Sequence, residues 1–151
     1  MRTTRVFLFL LGMVLLGGPT LLAQSGRYGT GADSTTCFHN LSFYRQYVLS
    51  NDLASAVSPW RVVLAVCPRG ASVRPFIDGE LIVSALMQES GISQERHAQL
   101  VDTLLMMYDI RIQHHPTYTR TALLKKIFDL ESFRPEQEEL RYSVIEEYLS
   151  F

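Results

Sequence analysis

The chain has 151 residues, of which 47% are hydrophobic and 19% charged, and its formal net charge is −1. That length and apolar content suit a single domain with a continuous core. With charges nearly balanced and no basic run beyond Lys125-Lys126, counterion release has little to work with, and nucleic acid is excluded as an expected partner.

The chain opens on Met1-Arg2-Thr3-Thr4-Arg5, followed by an almost unbroken apolar run from Val6 to Leu16, then Gly17-Gly18-Pro19 and Leu22-Ala23-Gln24. A basic start, a short apolar core and small residues before a cut predict a secretory signal peptide over 1–23. The run is too short to span a bilayer comfortably, and no Cys stands at the cleavage point to take a lipid. Cleavage removes two arginines and no acid, which moves the net charge from −1 to −3. No later segment is apolar enough to cross a membrane, so the mature chain is expected to be periplasmic or secreted without a span. Residues 24–34, glycine-bearing and poor in apolar side chains, read as a flexible lead to a folded region over 35–151.

From about Cys37 to Leu49 the aromatic residues Phe43, Tyr44 and Tyr47 recur at three or four, which predicts a helix packing that face on a partner. Ser50-Asn51-Asp52 supplies a turn, with Asp52 placed to cap the next helix. In that helix Ala56 is small enough for close backbone approach, and Trp60 faces the next unit, where its N–H needs an acceptor. Pro59 leaves two possibilities: a kink costing about 3 kcal/mol, or a helix that starts at Pro59 with Ser58 as its cap. Cys67-Pro68-Arg69-Gly70 ends the helix. A second unit carries Gly79 in its first helix and Pro116 at its end, with an extended loop or longer helices around Gly91-Ile92-Ser93. Leu100-Val101, Leu104-Leu105, Tyr108 and Ile112 form one core stripe, and Leu123-Leu124, Ile127 and Leu130 another. The last stripe, Leu140, Val144, Tyr148 and Leu149, is expected to pack on the third hairpin, the alternatives being that it docks a partner or marks a truncation.

Tyr44, Tyr47, Ala56, Trp60 and Pro68 stand at the intervals of a tetratricopeptide repeat, and Gly79, Tyr108 and Pro116 continue them. With Cys37, Asn40, Cys67, Ile77-Asp78 and Arg111, the string resembles secreted repeat proteins of Gram-negative cell envelopes, over roughly Cys37 to Phe133. The resemblance implies an all-α fold of tetratricopeptide-like hairpins, an α-solenoid of about six helices in three hairpins, in a short or truncated member. It also implies a concave side, lined by the first helix of each hairpin, that binds a protein or peptide. His39, Arg45 and Gln46, with Glu80 and Gln88 in the second unit, are the expected partner contacts.

An exported chain with two cysteines favours a disulfide, and an antiparallel hairpin sets Cys37 at the start of one helix beside Cys67 at the end of the other. Buried free thiols are one alternative. A nucleophilic Cys37 at a helix N-terminus is another, but His39 would lie about 200° around the helix from it. His97, His114 and His115 diverge or lack a ligand at useful spacing, so no metal is expected. Asp102 and Asp109 share a helix face, and Glu136, Glu138, Glu139, Glu146 and Glu147 read as a solvated surface. No phosphate loop, nucleophile elbow or zinc motif occurs. The sequence therefore predicts an envelope scaffold without catalytic residues or cofactor. The alternatives are a secreted enzyme using a Cys/His site, and a structural module or remnant with no private ligand.

Overall fold

The computed structural model describes residues 26–151, so the signal peptide expected over 1–23 lies outside the described residues. Six helices follow in order: α1 Gly31–Leu49, α2 Leu53–Val66, α3 Arg74–Met87, α4 Gln94–His114, α5 Thr119–Phe133 and α6 Glu138–Leu149. A 3-10 turn at Pro116–Tyr118 joins α4 to α5. The helices pack in chain order, α1 on α2, α3 on α4 and α5 on α6, with α2 against α3 and α4 against α5 joining the pairs. Among the described residues the one β pairing is a bridge between Gly26 and Gly29. The described residues form an all-α fold, a solenoid of helical hairpins.

α1 begins at Gly31, ahead of Cys37, and the stretch expected as a flexible lead is structured from Gly26 onward. Two contacts anchor it: Arg27 Nε donates to the carbonyl of Ala71 at 2.7 Å, and the Tyr28 ring meets Phe38 edge-on. The buried stripe of α1 is Cys37, Leu41, Tyr44 and Val48, at helical spacing. Tyr47, expected on that face with Phe43, is a correction: both rings sit at the margin of the stripe and are exposed. Asn51 takes a positive φ of 59° in the turn, a conformation Asn tolerates better than most residues. Asp52 then caps α2 by accepting from the backbone N–H of Ser55 at 3.1 Å. The helix runs from Leu53 through Pro59 without a break, which removes the possibility of a fresh start at Pro59. The carbonyl that loses its donor to Pro59 belongs to Ser55, an exposed residue whose oxygen water can satisfy.

Cys37 and Cys67 form a disulfide, with Cα atoms 5.0 Å apart and Cys37 fully buried. It ties the second turn of α1 to the C-cap of α2. The second hairpin locks onto the first through Trp60, whose indole N–H donates to the Pro75 carbonyl at 2.8 Å. The ring's Nε1–Cζ2 edge lies against Gly79 of α3. A Cβ there would stand 2.5 Å from Met107 Sδ and 2.8 Å from Trp60 Cζ2, so the close approach of α2, α3 and α4 requires glycine. α4 is long, at 21 residues, and with the Gln88–Ser93 loop it accounts for the widened second unit. Tyr108 is buried on α4, and Pro116 sits exposed at the start of the 3-10 turn.

Two stability outcomes follow. Gly79→Ala should destabilise by about 1 kcal/mol or more in urea unfolding, because overpacking of about 1–3 kcal/mol outweighs the roughly 1 kcal/mol gain in helix propensity. A stabilised variant would show that α2 and α3 are not in close contact. Reduction of the disulfide, or Cys37→Ser with Cys67→Ser, should remove about 3–4 kcal/mol on the loop-entropy model. The urea midpoint with and without reductant reads this directly, and an unchanged midpoint contradicts it.

Candidate functional site

A groove of about 690 Å³ runs along α1, closed on one side by the turn that holds Arg27 and Tyr28 and on the other by Ser72 and Arg74 at the start of α3. Its walls are built by a second stripe of α1, about 100° around the helix from the buried one. Phe38, Ser42, Arg45 and Leu49 recur there at four, three and four. Phe38 is 53% exposed and Leu49 70% exposed. The stripe is formed by α1 alone, whereas the charges come from three segments.

Arg27, Arg45 and Arg74 all line the groove. Arg45 Nη1 pairs with Asp78 Oδ2 at 2.9 Å, and the Tyr44 hydroxyl donates to the same oxygen at 3.3 Å. Asp78 is buried beneath them. Among the described residues no carboxylate pairs with Arg27 or Arg74, so the groove carries an excess of positive charge over apolar walls. Burial, reinforced by the neighbouring Asp78 carboxylate, pushes the Tyr44 phenol well above its usual range, with Arg45 and Arg74 opposing. Burial does the same to Tyr108, whose hydroxyl donates to Asp129 at 2.7 Å.

The expected contact residues divide. Arg45 and Gln46 line the groove. His39 is exposed on α1 but turns toward the rings of Phe38 and Phe43. Gln88 caps the far end of α3. Glu80 is a correction: it accepts from the buried Arg111 and from Lys125, both at 2.5 Å, and so bridges α3 to α4 and α5 instead of facing a partner. Arg111 is only 3% exposed and also reaches the Thr121 hydroxyl. Asp102 and Asp109 pair with Arg134 and Lys126 of the neighbouring region. Phe38, Leu49, Arg27, Arg74 and Asp78 were not singled out as contacts in the sequence. The α1 stripe was detectable by its period, but the arginines converge only through the turn and the loop.

Cys37 offers no thiolate, because its sulfur is bonded to Cys67 and buried. His115 Nε2 hydrogen-bonds the Arg69 carbonyl at 2.9 Å, and His97 packs edge-on to Phe133. Among the described residues no three His, Cys, Asp or Glu side chains converge as metal donors, and no helix is long and apolar enough to cross a membrane. What the groove supplies is recognition chemistry: exposed apolar area beside planar guanidinium donors that suit carboxylates. No family model, curated protein or solved structure matches this chain.

The raised phenols make stability pH-dependent in a defined direction. Tyr44 and Tyr108 ionise more readily in the unfolded chain, near 10.0, than in the fold. Their contribution is therefore complete below about pH 10 and declines as pH rises beyond it toward the folded values. Chemical denaturation between about pH 9 and 11 should show falling stability that Tyr44→Phe plus Tyr108→Phe flattens. An identical slope in the double variant would contradict the burial of these hydroxyls.

Proposed function

We propose that this protein is an exported helical-repeat adaptor, not an enzyme, whose α1–α3 groove binds a protein or peptide segment in the bacterial cell envelope. One observation carries the reading: on the outer face of α1 the exposed Phe38 and Leu49 bracket Ser42 and Arg45, in a groove where, among the described residues, Arg27 and Arg74 pair with no carboxylate and Arg45 pairs only with Asp78. Aromatic side chains and arginines exposed together are the composition enriched at partner-binding surfaces. The order of basic, apolar and small residues over 1–23 supports export. The disulfide suits an oxidising compartment. The likeness of the Cys37, Tyr44, Trp60, Cys67-Pro68 string to envelope repeat proteins supports the same setting.

The rival reading, a secreted enzyme built on a Cys/His site, draws no support from the geometry around Cys37, where the sulfur is oxidised and His39 faces elsewhere. The test uses a photo-crosslinking amino acid at Leu49 in the full-length protein expressed in a bacterial envelope. A discrete cross-linked protein band is expected, reduced at least fivefold by Phe38→Asp and unchanged by Tyr118→Asp, an exposed aromatic remote from the groove. No discrete band, or equal loss in both variants, would overturn the groove as a binding site.

A further inference from the structure

At the other end of the solenoid, α6 packs through Val144 and Tyr148 against α5 and turns a second face away from the protein. That outer face is the stripe Glu138, Tyr142, Glu146 and Leu149, spaced four, four and three. Tyr142 is 55% exposed and Leu149 74% exposed. Glu139 and Glu147 flank the stripe, and both are exposed. Among the described residues neither they nor Glu146 takes part in an ion pair; Glu138 makes one long contact of 3.9 Å with Arg141. The surface is therefore acidic and apolar, the complement in charge of the groove, which is basic and apolar.

The two surfaces also match in length. Phe38 to Leu49 on α1 and Glu138 to Leu149 on α6 each extend about 16 Å along their helices. Both carry two large apolar side chains among polar or charged ones at helical spacing, Phe38 and Leu49 bracketing Ser42 and Arg45 on α1, Tyr142 and Leu149 set between and after Glu138 and Glu146 on α6, which lets two helix faces interleave. Because the helices pack in chain order, with α1 at one end of the array and α6 at the other, one copy cannot bring its own α6 to its own groove. The pairing must be between copies.

We propose that the occupant of the groove is α6 of a second copy of this chain, so that the protein assembles head to tail. This rests on the groove being a binding site and names what fills it. The contact is heterologous, the basic groove of one copy taking the acidic stripe of the next, so it propagates into a ring or an open filament instead of stopping at a dimer. Arg74 is the groove cation exposed at the start of α3 and without an internal acid, and Glu146 is its counterpart on the stripe. Steering between the two faces makes the association sensitive to ionic strength.

Sedimentation velocity on the purified full-length protein tests this over a hundredfold range of concentration, at low and high salt. The expected result is mass growth with concentration at low salt, weakened at least tenfold by salt. Arg74→Glu alone and Glu146→Lys alone should each suppress it at least tenfold, since each places like charges across the contact. Both residues are exposed, and unchanged circular dichroism would show that the variants fold. A mixture of the two variants should recover association, because each then presents opposite charge to the other. A monomer at every concentration in low salt overturns the proposal, as does association that neither substitution weakens or that the mixture does not restore. If the chain is monomeric yet Leu49 still cross-links a different envelope protein, self-assembly falls and the adaptor reading stands; if it is monomeric and nothing cross-links, both fall.

Discussion

The structure depends on one close contact, the edge of Trp60 laid against the bare backbone of Gly79. The indole occupies volume that any side chain at position 79 would need, with Met107 closing the other side. Its N–H is buried and would be costly unpaired, but the Pro75 carbonyl accepts it at 2.8 Å. Pro75 lies in the first turn of α3, so the same ring that fills the space also fixes where the second hairpin starts. Everything that the groove requires follows from that register: Arg74 arrives beside α1, and Asp78 arrives under Tyr44 and Arg45. Apolar burial supplies most of the driving force for such packing, while the glycine and the single hydrogen bond decide which packing it is.

Beyond Trp60 the array is joined by charged contacts as much as by apolar ones. Arg111 lies buried between α3, α4 and α5, held by Glu80 and Thr121 and set over the Tyr108 ring, while Glu80 also holds Lys125. Its Nε has no partner among the described residues. Burying such a group is expensive, and a well-packed apolar replacement is often as stable. What the arrangement provides is orientation, since a forked cation with two oxygen partners tolerates little rotation of one helix about another. Lys126 with Asp109 and Arg134 with Asp102 continue the same pattern between α4 and the α5 region. The first two hairpins are thus set by a wedge, and the junction to the third by ion pairs.

This construction leaves the ends of the solenoid different in chemistry. The first hairpin is stapled by Cys37–Cys67 and presents the groove arginines, while the last presents the glutamates of α6. A net charge of −1 conceals this separation. Because the helices pack in chain order, α1 and α6 stand apart in the stack, and the two charges stand apart with them. The disulfide ties α1 to α2, so the groove is carried on a hairpin held by a covalent link.

By itself the sequence determined what is written in short-range spacing. The hairpin of α1 and α2, the Asp52 cap, the small Ala56, the need of Trp60 for an acceptor and the adjacency of Cys37 and Cys67 all depend on a few neighbouring positions or on antiparallel pairing, and all were legible. Period alone placed Tyr47 in the core and missed that the stripe runs through Cys37, Leu41, Tyr44 and Val48, because rings at the margin of a helix face share its spacing without sharing its burial. The identity of Glu80 as an internal ion-pair partner, the burial of Arg111, and the convergence of Arg27, Arg45 and Arg74 on one groove were decided by tertiary structure only. Those residues stand far apart along the chain, and whether a charged side chain faces a partner or another helix is set by the rotation of whole helices against each other, which the Trp60–Gly79 contact fixes and no local pattern records.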